Sequence, residues 1–402
     1  MEVRKMLRKY SCNRRVDLSA YIDLFDILVV GKPTLAIKIK RIDVLVHICC
    51  SVDSHYFLQK LQEEYPEEKL TGFFYDPNIH PYSEYYLRLL DVKRSCKMLG
   101  IDLIEGEYDV ENWLEAVRGL EHEPEKGSRC SVCFDRRFEI SAKKAAELGE
   151  NTFTSTLLTS PKKSLKQLQT AGDALAKQEG IAFVAPDYRK ASGTQEQNIL
   201  AKEDALYRQD YCGCMFGLNI QRDQQEKLAD ELFVPLSGQI QPESIEERIE
   251  MYKKRWELEE KEIPHKIIKQ RFLNWRLSMG LLRVRKEVIP AHFLPYSTLK
   301  GEYTRGKIEY NIGEVHHMNR DEVRFITRKY YNEVAGTNYN TVTELIYNPP
   351  TFDKELELRA RLGATSYDIS IILVVEEIPT NKIEILCQSK TYSDVKEVLI
   401  EL

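Results

Sequence analysis

Between residues 41 and 217 short apolar runs and amphipathic stretches take turns along the chain, and that alternation limits the fold more than any other feature. Val44-Leu-Val-His-Ile48 is apolar almost throughout, as a strand covered on both faces must be. The stretch after it sets Tyr56, Phe57 and Leu61 on one helical face. Leu70 to Tyr75 predicts a second strand, stopped by the turn residues Asp76-Pro77-Asn78. Tyr82 to Leu99 predicts a helix ending at Gly100, Ile101 to Ile104 a third strand, and Phe134 to Leu148 a helix ending at Gly149. Thr152 to Leu157, Leu165 to Gln178 and Ile181 to Val184 predict strand, helix and strand. The expected fold class is therefore α/β, a doubly wound parallel sheet. In such sheets ligands collect beyond the carboxyl ends of the strands, at the switch point. Cys49 and Cys50 stand at the end of the first strand, Asp76 to His80 follow the second, and Ser160-Pro161-Lys162-Lys163 follow the fourth.

The 402 residues suit two or three domains at about 150 residues each. Residues 1–40 carry 9 basic against 4 acidic side chains and read as a basic extension. Residues 41–229 form the chemical domain, acidic overall. Residues 230–402 read as an additional α+β domain, with a boundary placed near Ala229. Within it, 241–285 reads as strongly helical and basic, and Tyr367 to Val375 and Lys382 to Cys387 read as strands. The segment 251–311 holds 14 basic against 7 acidic residues together with Trp256 and Trp275. That pattern suits an RNA-binding surface or simply a charged, solvated face. A net charge of -5 excludes a uniformly basic nucleic-acid coat protein. The longest apolar runs fall far short of the ~20 residues of a membrane helix, and no apolar signal core follows the basic N-terminus, so a cytoplasmic protein is expected.

Six of the nine cysteines fall in three pairs, Cys49-Cys50, Cys130-Ser-Val-Cys133 and Cys212-Gly-Cys214. In a cytosolic chain such clusters serve metal binding or redox chemistry more often than disulfides. Six thiolates exceed the four that one zinc or one iron–sulfur cubane needs. Asp53, close to the vicinal pair, adds an oxygen ligand suited to an open iron site acting as a Lewis acid. Zinc knots, thiol redox and inert buried thiols stay open as alternatives on these residues alone. In tRNA-thiolating ATP pyrophosphatases of this HUP/PP-loop-like fold type, the first strand ends in a Ser-Gly-Gly-x-Asp-Ser loop that cradles phosphate. Here the same place reads Cys49-Cys-Ser-Val-Asp-Ser54, with thiols where the glycines stand, which disfavours ATP activation and sulfur transfer. Cys12, Cys96 and Cys387 read as ordinary thiols.

The segment from about 44 to 217 resembles the cobalamin-independent epoxyqueuosine reductase family QueH. The resemblance rests on His47-Ile-Cys-Cys-Ser-Val-Asp53, on Tyr75-Asp-Pro-Asn-Ile-His-Pro81 with Glu84, Tyr85 and Arg88, and on Arg129-Cys-Ser-Val-Cys-Phe-Asp-Arg136-Arg137. It continues in Thr154-Ser-Thr-Leu-Leu-Thr-Ser-Pro161, Asp187-Tyr-Arg-Lys190 and Leu206-Tyr-Arg-Gln-Asp-Tyr-Cys-Gly-Cys-Met-Phe-Gly217. Asp76 departs from the Asn expected there in relatives. The resemblance implies an oxidoreductase that completes queuosine biosynthesis, removing the epoxide oxygen of epoxyqueuosine at the wobble position of tRNA with two electrons. It implies a [4Fe-4S] cluster and a second, mononuclear iron, with Cys49, Cys50, Asp53, Cys130, Cys133, Cys212 and Cys214 as the metal ligands and Asp53, Cys49 and Cys50 at the chemistry. Adjacent strand-end side chains tend to diverge, so Cys49 and Cys50 are expected to serve different metals. Tyr75, Asp76, Asn78, Tyr85, Arg129, Arg137, Lys162, Lys163 and Arg189 are the expected substrate contacts, with Tyr82 and Tyr188 as further stacking candidates. The tRNA anticodon loop and an external one-electron donor such as a ferredoxin are the implied partners. A zinc-dependent tRNA-binding or assembly protein without redox turnover is the competing reading.

Overall fold

The fold is described from a computed structural model for residues 43–160, 164–190, 192–365 and 367–402. β1 (Val44–Ile48), β2 (Leu70–Phe74), β3 (Asp102–Glu105), β4 (Thr152–Ser155) and β5 (Ala182–Phe183) form one parallel sheet in the order β3-β2-β1-β4-β5. The doubly wound core is thus observed, and the order reverses between β1 and β4. Every residue of β1 and β2 is buried, which explains why β1 reads as a nearly continuous apolar run. The flanking helices are α1 (Ser51–Glu64), α2 (Tyr82–Leu99), α3 (Val110–Ala116), α4 (Ser128–Leu148), α5 (Leu165–Glu179), α6 (Gly193–Glu203) and α7 (Met215–Gln224). Gly100 and Gly149 end α2 and α4 in the left-handed conformation, as the sequence predicts.

Helix α4 starts six residues before the predicted Phe134. Arg129, Cys130 and Cys133 therefore ride its first two turns, where small and polar residues give no apolar periodicity to read. Helices α3, α6 and α7 are short and are likewise missing from the sequence reading.

Beyond the core, α8 (Ile245–Glu260) leads into β6 (His265–Val284). The strongly helical reading of 241–285 is thus correct only as far as Glu260. Residues 265–284 make a 20-residue strand paired antiparallel with β14 (Ile383–Glu401). Their Lys, Arg, Gln and Leu favour helix locally, and pairing with a segment over a hundred residues away overrides that preference.

With β7 (Glu287–Ile289) and β9 (Tyr303–Gly306) this ribbon forms the sheet β7-β6-β14-β9. A second sheet, β10-β11-β12-β13-β8, comprises β8 (His292–Phe293), β10 (Ile308–Ile312), β11 (Val315–Met318), β12 (Arg324–Thr327) and β13 (Ile372–Val375). α9 (Arg328–Ala335), α10 (Val342–Tyr347) and α11 (Phe352–Arg361) lie in the same part of the chain, so it is α+β. Helix α8 packs on α2 of the core through Arg94–Glu259 and the buried pair Arg255–Asp91. Among the described residues no helix is long and apolar enough to cross a membrane.

Candidate metal centre

β1 ends at Ile48, and Cys50 already caps the N-terminus of α1. The chain turns between the two thiols instead of continuing as strand, so their side chains converge. Cys49 Sγ lies 3.9 Å from Cys50 Sγ and 3.8 Å from Asp53 Oδ2, one helical turn on. One ligand atom from each of the three falls within 4.8 Å of the others. The divergence on which an assignment of Cys49 and Cys50 to different metals rests is absent. Two residues outside the expected ligand and substrate sets hold this group. Thr156 Oγ1 accepts from the Cys49 backbone N–H at 3.3 Å and lies 3.5 Å from its Sγ, and Gln197 Nε2 donates to Asp53 Oδ1 at 2.8 Å.

The other four thiols face the same space. A cavity of about 200 Å³ at the carboxyl end of the sheet is lined by Cys49, Asp53, Cys130, Cys133, Cys212 and Cys214. The loop bearing Cys212 and Cys214 is fastened from the segment after β2. Asn78 Nδ2 donates to Cys212 O at 3.2 Å, and His80 N–H donates to Gly213 O at 2.8 Å. Gly213 sits at φ 102, and a Cβ there would come within 2.7 Å of Ile79, so both conformation and space require glycine.

The donor set suits metals. Cys49, buriedness and the Asp53 charge push the Cys50 thiol well up; Gln209 opposes them. Cys214 is raised by Cys212 and by burial, against Arg129 and the Gly217 backbone N–H. Burial raises Cys133, while Arg137 and Trp113 pull it back. Crowded thiols that resist ionising one by one gain most from a cation that takes their protons' place. Lys126 N–H donates to Cys130 Sγ at 3.2 Å, the type of backbone bond that iron–sulfur thiolates accept. Three donors from Cys49, Cys50 and Asp53 leave a metal with an open position, and four thiols match a cubane, so the residues fit both groups.

The expected substrate contacts divide sharply. Tyr75 is 2% exposed, stacked on Phe73 with its hydroxyl donating to Asp109, and Tyr85 is 1% exposed with its hydroxyl donating to Gly106 O. Both are core residues, which corrects their assignment as stacking platforms. Tyr82, 56% exposed, keeps an open face.

Arg129 and Arg137 are buried as well, which corrects their reading as surface phosphate contacts. Arg129 donates to Leu120 O and Glu121 O, and Arg137 pairs with Asp76. Their charges instead act on Cys214 and Cys133. Arg189 pairs with Asp187 and donates to Ser160 O. Lys162 and Lys163 lie outside the described residues, as does Cys12, while Cys96 and Cys387 are buried thiols of the two halves' cores. Asp76 and Asn78 line the cavity and are buried, yet Asp76 Oδ2 and Asn78 Oδ1 have no hydrogen-bond partner among the described residues. His47 is buried and fully occupied, bonded to Ser155 Oγ and Tyr75 O.

Fold and site define a doubly wound α/β protein whose switch point carries a thiol-lined centre of metal-ligand composition in place of a phosphate loop. The family model described as epoxyqueuosine reductase QueH matches residues 44–219. The epoxyqueuosine reductase QueH of Helicobacter pylori is 42% identical over 347 residues, covering 83% of this chain and 94% of that relative. The Thermotoga maritima one is 33% identical over 189 residues, covering 46% of this chain and 95% of its own length. The chain belongs to the epoxyqueuosine reductase QueH family. Among solved structures, the U34-tRNA thiolase NcsA of Methanococcus maripaludis with its [4Fe-4S] cluster aligns at a TM-score of 0.32 and 17% identity, over 54% of this chain and 73% of that one. That likeness is too slight to carry an argument.

Proposed function

We propose that this chain reduces epoxyqueuosine to queuosine at the wobble position of tRNA, the last step of queuosine biosynthesis. Two electrons and two protons remove the epoxide oxygen as water and leave an alkene. The observation that carries this reading is the gathering of six metal-ligating side chains around one cavity at the switch point of the family-matched core. Cys130, Cys133, Cys212 and Cys214 hold the [4Fe-4S] cluster, and Cys49, Cys50 and Asp53 hold a second, mononuclear iron. Bound there, the iron supplies Lewis acidity toward the epoxide oxygen and the cluster supplies one-electron transfer from an external donor such as a ferredoxin.

The chain's own residues position and shield the substrate. Asp76 Oδ2 and Asn78 Oδ1 offer two unpaired acceptors to its hydrogen-bond donors, and Ile79, Phe134 and Leu157 keep the cavity wall apolar. Arg129 and Arg137 offset the negative charge of a thiolate-bound centre. Residues 41–229 carry the chemistry; Tyr82 offers a stacking face for the splayed base, and the basic part of 230–402 grips the tRNA. Quantifying iron and sulfide after anaerobic purification tests the centre: iron with inorganic sulfide supports it, and a colourless zinc protein supports the non-redox reading.

A further inference from the structure

We propose that Arg255 is a positioning residue for the metal centre, reaching in from helix α8 to set the loop that carries Cys212 and Cys214. Arg255 lies outside the family-matched residues 44–219 and is 2% exposed. One nitrogen of its guanidinium pairs with Asp91 Oδ1, and the other donates to Ala205 O at 2.6 Å. Ala205 sits at φ 48, a left-handed backbone that alanine rarely adopts, so the loop begins at a strained residue whose carbonyl Arg255 holds.

The second oxygen of Asp91 ties the two ligand segments together. It accepts from Ser51 Oγ at 2.5 Å and from the Tyr207 backbone N–H at 2.8 Å. Ser51 directly follows Cys50, and Tyr207 lies in the loop that continues through Gln209, which acts on Cys50, to Cys212. A second α8 arginine supports the same loop. Arg248 Nη1 donates to the Tyr207 hydroxyl at 3.4 Å, which itself donates to Glu84, and Glu84 also accepts from Arg88, which donates to Tyr211 O at 3.1 Å. The fully buried carboxylate of Asp91 thus relays α8 to the segments that carry Cys49–Cys50 and Cys212–Cys214. Without Arg255 that carboxylate loses its hydrogen-bonded guanidinium, keeping only the more distant Arg94 charge, and the loop loses its anchor at Ala205.

The inference rests on the reading of Cys212 and Cys214 as metal ligands, and its test includes an arm that needs no metal. In metal-free protein, alkylation of each cysteine by iodoacetamide is followed by mass spectrometry in wild type, Arg255→Met, Arg255→Lys and Lys97→Ala. Lys97 pairs with Glu260 at the exposed edge of the same α2–α8 contact and serves as the control. In Arg255→Met, Cys212 and Cys214 react about tenfold faster while buried Cys96 is unchanged; Arg255→Lys falls between, and Lys97→Ala matches wild type. In reconstituted protein, Arg255→Met loses iron to a chelator about tenfold faster than wild type. Equal acceleration at every cysteine, Cys96 included, marks general loosening and overturns the proposal, as does wild-type reactivity in Arg255→Met. Loss of the alkylation effect sinks the positioning role alone; a wild type that binds no iron sinks the metal reading and leaves the loop result standing.

Discussion

Asp53 stands one helical turn from the vicinal thiols, with Gln197 fixing one carboxylate oxygen and the other turned to Cys49. Asp53→Ala removes the proposed oxygen ligand without touching the four thiols proposed for the cluster. It lowers deoxygenation by about 100-fold or more while the visible spectrum of the cluster persists; unchanged turnover contradicts the assignment. Gly213→Ala forces a side chain against Ile79 at a left-handed position and abolishes stable iron incorporation, read as iron per chain after desalting. Asp76 gives a pH dependence. Burial pushes its carboxyl up to about 6, against the pull of Arg137 and Arg88. Below that pH it is protonated and its open oxygen is a poorer acceptor, so kcat/KM rises with pH through about 6 and levels off above. Asp76→Asn lacks this acid limb; a limb that persists belongs to another group. At this scale the candidate ligands are legible because Cys and Asp carry their chemistry in their identity. The roles of Tyr75, Tyr85, Arg129 and Arg137 are not, since burial depends on which distant segments close over a side chain.

Strand β4 shows why the sheet reads so directly from sequence. Its Thr-Phe-Thr-Ser sets β-favouring threonines around Phe153, which packs between Phe138 and Phe183 and is wholly buried. Phe153→Ala destabilises the protein by about 3–5 kcal/mol in chemical denaturation, with the midpoint shifted and the slope retained. The helices that carry or brace the centre were harder to read. The first turns of α4 and most of α6 are small or polar, while α7, with Met215, Phe216, Leu218 and Ile220, is only ten residues long. The long β6 strand is helix-like in composition, and only its pairing with β14 shows it to be a ribbon. Exposed Lys266 and Arg271 on that ribbon are proposed phosphate contacts. Lys266→Glu with Arg271→Glu weakens tRNA binding and lowers the slope of log affinity against log salt by about 1 per lost contact; an unchanged slope assigns the tRNA surface elsewhere.

Across the whole molecule, the family core and the second half meet at helix α8 through the buried pair Arg255–Asp91 and an apolar cluster of Leu87, Tyr207, Ile245, Ile249 and Tyr252. The T. maritima relative is spanned almost entirely by an alignment over 46% of this chain, whereas the H. pylori relative matches 83% of it. The added half is therefore a feature that some relatives share and others are too short to contain. The net charge of -5 averages an acidic core with a basic stretch at 251–311, so it says little about a polyanionic partner. The six thiols and Asp53 are proposed to support deoxygenation of epoxyqueuosine in tRNA. The most direct measurement is an anaerobic single-turnover assay of the reconstituted full chain, with epoxyqueuosine-containing tRNA and a chemical one-electron reductant, followed by mass spectrometry of the nucleosides. Queuosine appearing in step with the loss of epoxyqueuosine, with no product from Asp53→Ala, is the predicted result. A wild-type protein that holds its full iron and sulfide and yet leaves epoxyqueuosine unchanged contradicts it.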